Sequence, residues 1–117
     1  MPRIKDGFKG ERAIVLPAFL IEELKQDPLG SELYITDIGY YPHAYFHYRK
    51  RDTEEVTEFI LIYCMEGEGW FELDKHQYAV TANQFFILPE HQAHAYGSNE
   101  ENPVSYTHLR AHETELH

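Results

Sequence analysis

Histidine and arginine side chains that could bind a ligand are concentrated between positions 43 and 51. In an extended segment, residues two apart point to the same side, so one face would carry His43, Tyr45, His47, Arg49 and Arg51. A guanidinium offers a fork of donors that suits sugar hydroxyls or a carboxylate. One interpretation, which the residues alone do not favour, is that Arg49, together with His47, binds a ligand inside the fold. The alternative is an edge strand whose polar face lies in water.

A second polar pair, His94 and Tyr96, also shares one face of an extended segment. Such a pair could hydrogen-bond a polyol while the tyrosine ring supplies apolar cover. The alternative is a structural loop in which His94 caps backbone groups. Trp70 follows a glycine turn and could pack on a sugar ring, or else in the core or at an interface.

The residue spacing argues against a metal site and against catalysis. His43 and His47 would lie roughly 13 Å apart along an extended strand. Metal–nitrogen bonds are about 2 Å long, so the two could share an ion only if the strand bent sharply. No serine stands beside a base, and Cys64 lies in an apolar run, where a thiol is inert. We expect no catalytic residue, no metal ligand and no cofactor.

The positions of these residues depend on a series of short strands in the second half of the chain. Gly, Asp and Asn separate apolar segments at intervals of roughly ten residues, a pattern typical of an all-β barrel or sandwich. The unbroken apolar run 59–65 predicts a strand buried on both faces. The first half predicts strands at 13–16, 33–40 and 44–51, and a short helix from Pro17 that ends before Pro28.

Length, charge and cysteine content limit the possible functions. The 117 residues suffice for one domain, and the 43% of hydrophobic residues support a real core. A net charge of −10 repels phosphate backbones, so this chain on its own should not bind nucleic acid. A single cysteine, Cys64, excludes an internal disulfide and fits a reducing compartment. Without a signal sequence or a membrane-length apolar run, we expect a cytoplasmic protein with no membrane partner.

The end of the chain has a different character. After Pro103 the apolar pattern stops, and residues 104–114 match the translation of an adapter used in transposase-based sequencing libraries. We therefore expect that residues 1–103 are authentic and that residues 104–117 are a non-native tail. Such a tail should not pack stably on the rest of the chain.

An ordered set of segments resembles the N-terminal ligand-binding domain of AraC-type transcriptional regulators. The resemblance covers residues 1–103, and no single piece of it is specific. It is carried by residues 8–12, 16–17, 36–39, 47–49, 63–64, 67–70, 87–89 and 94–97. It implies a cupin-like jelly-roll barrel, all-β with one short N-terminal helix. The barrel would be incomplete at the C-terminus, because the adapter-like tail replaces the strand expected after Pro103.

The resemblance implies a sensor of a sugar or another small metabolite that also carries dimer contacts. The ligand site would comprise Arg49, His94, Tyr96, His47 and Trp70. The intact parent would be a homodimer and would reach DNA only through a C-terminal helix-turn-helix domain, which is missing from this sequence. The alternative is a free-standing small cupin enzyme, an isomerase or dioxygenase with a metal site. A third possibility is a dimerisation module whose barrel is filled by its own side chains.

Overall fold

The computed structural model describes residues 3–113, which form two antiparallel sheets and one short helix. The five-stranded sheet has the order β1-β2-β9-β4-β7, and the four-stranded sheet has the order β3-β8-β5-β6. This arrangement confirms the predicted all-β, cupin-like jelly roll. The elements are β1 (Arg12–Val15), α1 (Ala18–Gln26), β2 (Leu33–Tyr41), β3 (Tyr48–Arg51), a 3-10 turn (Thr53–Glu55), β4 (Phe59–Glu66), β5 (Glu68–Leu73), β6 (His76–Thr81), β7 (Phe85–Leu88), β8 (His94–Ser98) and β9 (Ser105–Glu113).

The core lies between the two sheets and follows the alternation of side chains along each strand. In β4, Ile60, Ile62 and Cys64 are buried, whereas Tyr63 is 36% exposed. The prediction that the apolar run is buried on both faces is therefore wrong. One face of β4 packs into the core, and the other belongs to the outer surface of the five-stranded sheet.

The helix α1 begins directly after Pro17, as predicted from the fixed backbone angle of proline at a helix start. It ends at Gln26, and the backbone N–H of Asp27 then bonds to the Leu24 carbonyl. None of its residues is buried, so the helix lies loosely on the sheet. No helix among residues 3–113 has the length and apolarity needed to span a membrane.

The strand β3 is shorter than the sequence predicted. It begins at Tyr48 rather than at Ala44, because His43 and Phe46 have φ angles of 43° and 57°. These left-handed conformations belong to turns and interrupt an extended chain. The alternation of side chains expected from position 43 therefore begins only at β3. Arg49 and Arg51 still share one face of that strand, as predicted.

The strand β9 fills the gap that the sequence predicted after Pro103. It lies in the middle of the five-stranded sheet, paired with β2 on one side and β4 on the other. Tyr106 faces the core with 2% exposure. The prediction of an unpacked tail is wrong for residues 104–113, while residues 114–117 lie outside the described residues. The packing of β9 does not test whether residues 104–114 are translated from a sequencing adapter, so that origin stays a prediction.

Candidate functional site

The pairing of β3 with β8 brings four polar side chains onto one inner face. Arg49 lies opposite Tyr96, and Arg51 lies opposite His94. The inner face is identified by Tyr96, which belongs to the hydrophobic core cluster. Three of the predicted site residues, Arg49, His94 and Tyr96, therefore come together. The fourth member of the group, Arg51, was not predicted.

Arg51 is a buried cation with only neutral partners. Its Nη1 donates to Nε2 of His94 at 3.1 Å and to the hydroxyl oxygen of Tyr96 at 3.3 Å. The guanidinium carbon is also 5.8 Å from the centre of the Tyr96 ring. Among residues 3–113, no carboxylate forms an ion pair with Arg51 within 4.0 Å.

The contact with Arg51 fixes the tautomer of His94. A guanidinium can only donate, so Nε2 of His94 accepts and the proton of the neutral ring is on Nδ1. Burial, followed by the positive charge of Arg51, lowers the His94 pKa to about 4. The Gln92 carbonyl opposes this shift in the pKa, but Nδ1 makes no hydrogen bond of good geometry within the described residues. His94 is therefore neutral at physiological pH and holds Arg51 in place.

Arg49 is more exposed than Arg51 and has an acidic neighbour. Its Nη2 lies 3.9 Å from Oδ2 of Asp6, and 24% of its side chain is accessible. Asp6 is itself largely exposed, so water screens this ion pair. Arg49 thus shares the face of Tyr96 but lies in a wetter environment.

His47 lies deeper in the core than the other predicted ligand residues. Its Nδ1 donates to the Ile4 carbonyl at 2.9 Å, and its Nε2 accepts from the Tyr106 hydroxyl at 2.6 Å. Burial lowers its pKa to about 4. Both ring nitrogens are satisfied inside the protein, so His47 offers no free polar atom to a ligand. Its ring touches Tyr96, with 5.6 Å between centroids.

Trp70 lies apart from this group. It stands opposite Gly97 in β8, whereas the next residue, Phe71, stands opposite Tyr96 on the inner face. The ring covers Gly97 on the outer side of the sheet, where a Cβ at Gly97 would come within 2.8 Å of it. Tyr48 contacts the same ring at 5.8 Å. Trp70 therefore alternates to the opposite face from Arg49, Arg51, His94 and Tyr96, although it borders the same small interior space as Tyr96.

Two cavities border the inner polar group, and they differ greatly in size. The first is a cleft of about 370 Å³ at the end of β3 and β8, which we call the β3–β8 cleft. Its lining includes the buried residues Arg51 and His94 and the exposed residues Lys50, Lys75 and Ala93. The second is an interior space of about 20 Å³ beside His47 and Tyr96. Of these two cavities, only the cleft reaches the volume of a small-molecule site, which begins at roughly 300 Å³. Other surface clefts of 320 to 460 Å³ exist in the described residues, but neither Arg51 nor His94 lines them.

The donor set does not resemble a metal centre. Within residues 3–113, no group of three His, Cys, Asp or Glu residues is arranged to hold an ion. His47 already uses both ring nitrogens, and His94 accepts from a cation, which competes with metal binding. The group is instead suited to hydrogen bonding and to pairing with a negative charge.

Comparison with known proteins supports this interpretation of the fold. The sequence model of the protein family described as AraC-like ligand binding domain matches residues 38–117. The chain is also 35% identical over 101 residues to the MmsAB operon regulatory protein of Pseudomonas aeruginosa. That match spans 81% of this chain but 32% of the relative, so the chain corresponds to about a third of that protein.

Solved structures show the same architecture at low sequence identity. The Cupin_2 domain of an XRE family transcriptional regulator from Enterobacter cloacae matches 88% of this chain and 98% of its own, with a TM-score of 0.53 and 15% identity. A cupin protein from Bacteroides fragilis matches 69% of each chain, with a TM-score of 0.53 and 7% identity. Together with the family match over residues 38–117, these findings show that the chain belongs to the AraC-like ligand binding domain family.

Proposed function

We propose that this chain is the effector-sensing and dimerisation domain of an AraC-type transcriptional regulator. In the parent protein, a bound effector would shift an equilibrium between two arrangements of the dimer. That shift would change which DNA sites a separate DNA-binding domain reaches. The family membership and the similarity to the MmsAB operon regulatory protein support this proposal.

The observation that carries the proposal is the contrast between the two cavities. An interior of about 20 Å³ has room for little more than one water molecule. The β3–β8 cleft has about 370 Å³ and places Arg51 and His94 at its buried end. A small oxygen-rich metabolite, such as a sugar or a related compound, fits such a mixture of polar and apolar surface. We therefore assign effector binding to the β3–β8 cleft.

A bulky residue at the rim of the cleft would test this assignment. Ala93 is exposed and lines the cleft, so Ala93→Trp fills it without disturbing the core. In the full-length regulator, this variant should lose most of its effector response while binding operator DNA normally without effector. Ala13→Trp, at an exposed position on β1, is the matched control and should respond like wild type. An unchanged response in Ala93→Trp would place the effector elsewhere.

Dimerisation is the second part of the proposal, and it rests on the outer face of the five-stranded sheet. One cross-strand row runs over all five strands through apolar residues only. Three of these side chains are about half exposed or more. A flat apolar row of this kind can pair with its own copy about a two-fold axis. The row consists of Ile14, Ile38, Leu109, Leu61 and Ile87.

Sedimentation of the chain tests this surface. A variant carrying both Ile38→Lys and Ile87→Lys should be monomeric at concentrations where wild type is dimeric, because two charges would enter an apolar contact. Phe19→Lys, on the exposed side of α1, is the control and should leave the dimer intact. A dimer that survives the double substitution would exclude this face.

The alternative of a free-standing metal-dependent cupin enzyme has less support. The family match points to a regulator domain. His94 bonds to Arg51 and His47 bonds to Tyr106, and no metal-binding group of three His, Cys, Asp or Glu residues occurs among residues 3–113. We propose accordingly that the domain binds its effector without converting it. Mass spectrometry of the effector after prolonged incubation with the protein should recover it unaltered.

A further inference from the structure

The charge of the β3–β8 cleft is unbalanced at its buried end. At the rim, the exposed cations Lys50 and Lys75 face the exposed anions Glu72 and Asp74, so these four charges offset one another. Deeper in the cleft, Arg51 is 9% exposed and no carboxylate lies within ion-pair distance in the described part of the chain. The buried end therefore carries one uncompensated positive charge.

The neighbours of Arg51 do not neutralise this charge. His94 is neutral, and the hydroxyl oxygen of Tyr96 accepts a hydrogen bond from Arg51. Glu55 acts on His94 at longer range without forming an ion pair with Arg51. A buried charge without a partner is strongly unfavourable, and a counter-ion of matching geometry removes that cost.

The guanidinium is also oriented so that one binding edge is free. His94 and Tyr96 both take their hydrogen bonds from Nη1. The other edge, formed by Nε and Nη2, makes no hydrogen bond to any residue between 3 and 113. These two N–H groups are parallel donors at the spacing of the two oxygens of a carboxylate. His94 thus positions Arg51 through one nitrogen and leaves the bidentate edge available.

We propose that the effector of this domain carries a carboxylate, which pairs with the Nε and Nη2 edge of Arg51 in the β3–β8 cleft. The inference rests on the proposed effector-sensing function and narrows its ligand from small metabolites in general to small organic acids. A sugar acid satisfies both this requirement and the sugar-like size of the cleft. A neutral sugar would leave the charge of Arg51 uncompensated.

The test uses the 117-residue chain with acetate and acetamide as probes, because they have nearly the same shape and differ in charge. Acetate should cause a saturable change in the Arg51 Nε–H resonance and raise the thermal midpoint, in a background of constant ionic strength. Acetamide should do neither at the same concentration. Arg51→Gln should weaken acetate binding roughly 10- to 100-fold, the range for a hydrogen bond to a charged group.

Two further variants keep the test informative. Arg51→Lys keeps the charge but loses the fork, so it should fold like wild type and bind acetate with intermediate affinity. Arg12→Gln removes the same charge from an exposed position on β1 and should bind acetate like wild type. The backbone amide spectrum of each variant shows whether it is folded.

The outcomes separate this inference from the function on which it rests. Equal binding of acetate and acetamide, or undiminished acetate binding in Arg51→Gln, would overturn the carboxylate assignment. Saturable binding of acetamide alone would keep the cleft as a site for a neutral effector and reject the acid. Acetate binding through Arg51, combined with no effector response in the full-length regulator, would keep the acid site and reject the sensing function.

Discussion

Arg51 donates a hydrogen bond from Nη1 to Nε2 of His94 over 3.1 Å, although the two residues lie 43 positions apart in the chain. The register of β3 against β8 creates this contact, because it places the two residues directly opposite each other. The contact gives the buried end of the β3–β8 cleft a positive charge and a neutral imidazole. It also links the cleft to the core through Tyr96, whose ring contacts both His94 and His47.

The protein should lose stability in mild acid. The pKa of His47 and that of His94 are both lowered to about 4 by burial, from 6.5 in the unfolded chain. The unfolded state therefore takes up protons first, and the free energy of unfolding falls as the pH drops from 6.5 towards 4. Between pH 7 and pH 5 the loss should be roughly 2 kcal/mol for each histidine. Urea unfolding at pH 7 and at pH 5 measures it.

Single substitutions show whether these two histidines cause the loss. His94→Gln and His47→Gln should each remove a similar share of the difference between pH 7 and pH 5. His108, whose pKa is also lowered by burial, contributes in the same direction. Equal unfolding free energies at the two pH values in the wild-type chain would contradict the neutral, buried state of both rings.

The Tyr106 hydroxyl should contribute measurably to stability. It donates to Nε2 of His47 at 2.6 Å inside the core, so Tyr106→Phe leaves a buried acceptor without a partner. We expect a loss of roughly 1–3 kcal/mol in the free energy of unfolding. Tyr63→Phe is the matched control, since that hydroxyl bonds to Asn83 in an exposed position. A loss for Tyr106→Phe no larger than the loss for Tyr63→Phe would show that the buried hydrogen bond is unimportant.

The strand β9 contains most of the unsatisfied buried side-chain nitrogens among residues 3–113. Four buried side-chain nitrogens lack a hydrogen bond in the described residues, and β9 contains three of them, in His108, Arg110 and His112. Native cores satisfy nearly all such atoms. We predict that genomic DNA across codons 103 and 104 encodes a different strand from that point. Amplification and sequencing of the junction from the source organism decides the matter. A genomic sequence that encodes residues 104–114 as printed would refute the adapter origin.

The sequence predicted the fold because its signals were local. Short strands separated by Gly, Asp and Asn predicted the two-sheet architecture, and Pro17 predicted the start of α1. The start of β3 could not be predicted, since left-handed turns at His43 and Phe46 carry no glycine to mark them. In β9, Tyr106 and His108 alternate with Thr107 and Leu109, which is a strand pattern. The match to the adapter led instead to the prediction of an unpacked tail.

The site was only partly predictable because it depends on pairing between distant strands. Periodicity placed Arg51 on the face of Arg49, but its burial follows from β8, which the local sequence of β3 does not reveal. For Trp70 the difficulty was different. Trp70 and Phe71 are both aromatic, so alternation alone could not show that Phe71 faces the core and Trp70 the outside.

The most direct test of the account is effector titration of operator binding by the full-length regulator, comparing Arg51→Gln with Arg12→Gln. Both variants lose one positive charge, but only Arg51 lines the β3–β8 cleft. Without effector, both should bind the operator like wild type. With effector, Arg12→Gln should respond like wild type, and Arg51→Gln should need roughly 10- to 100-fold more effector. An Arg51→Gln response that coincides with wild type would contradict the assignment of effector sensing to this cleft.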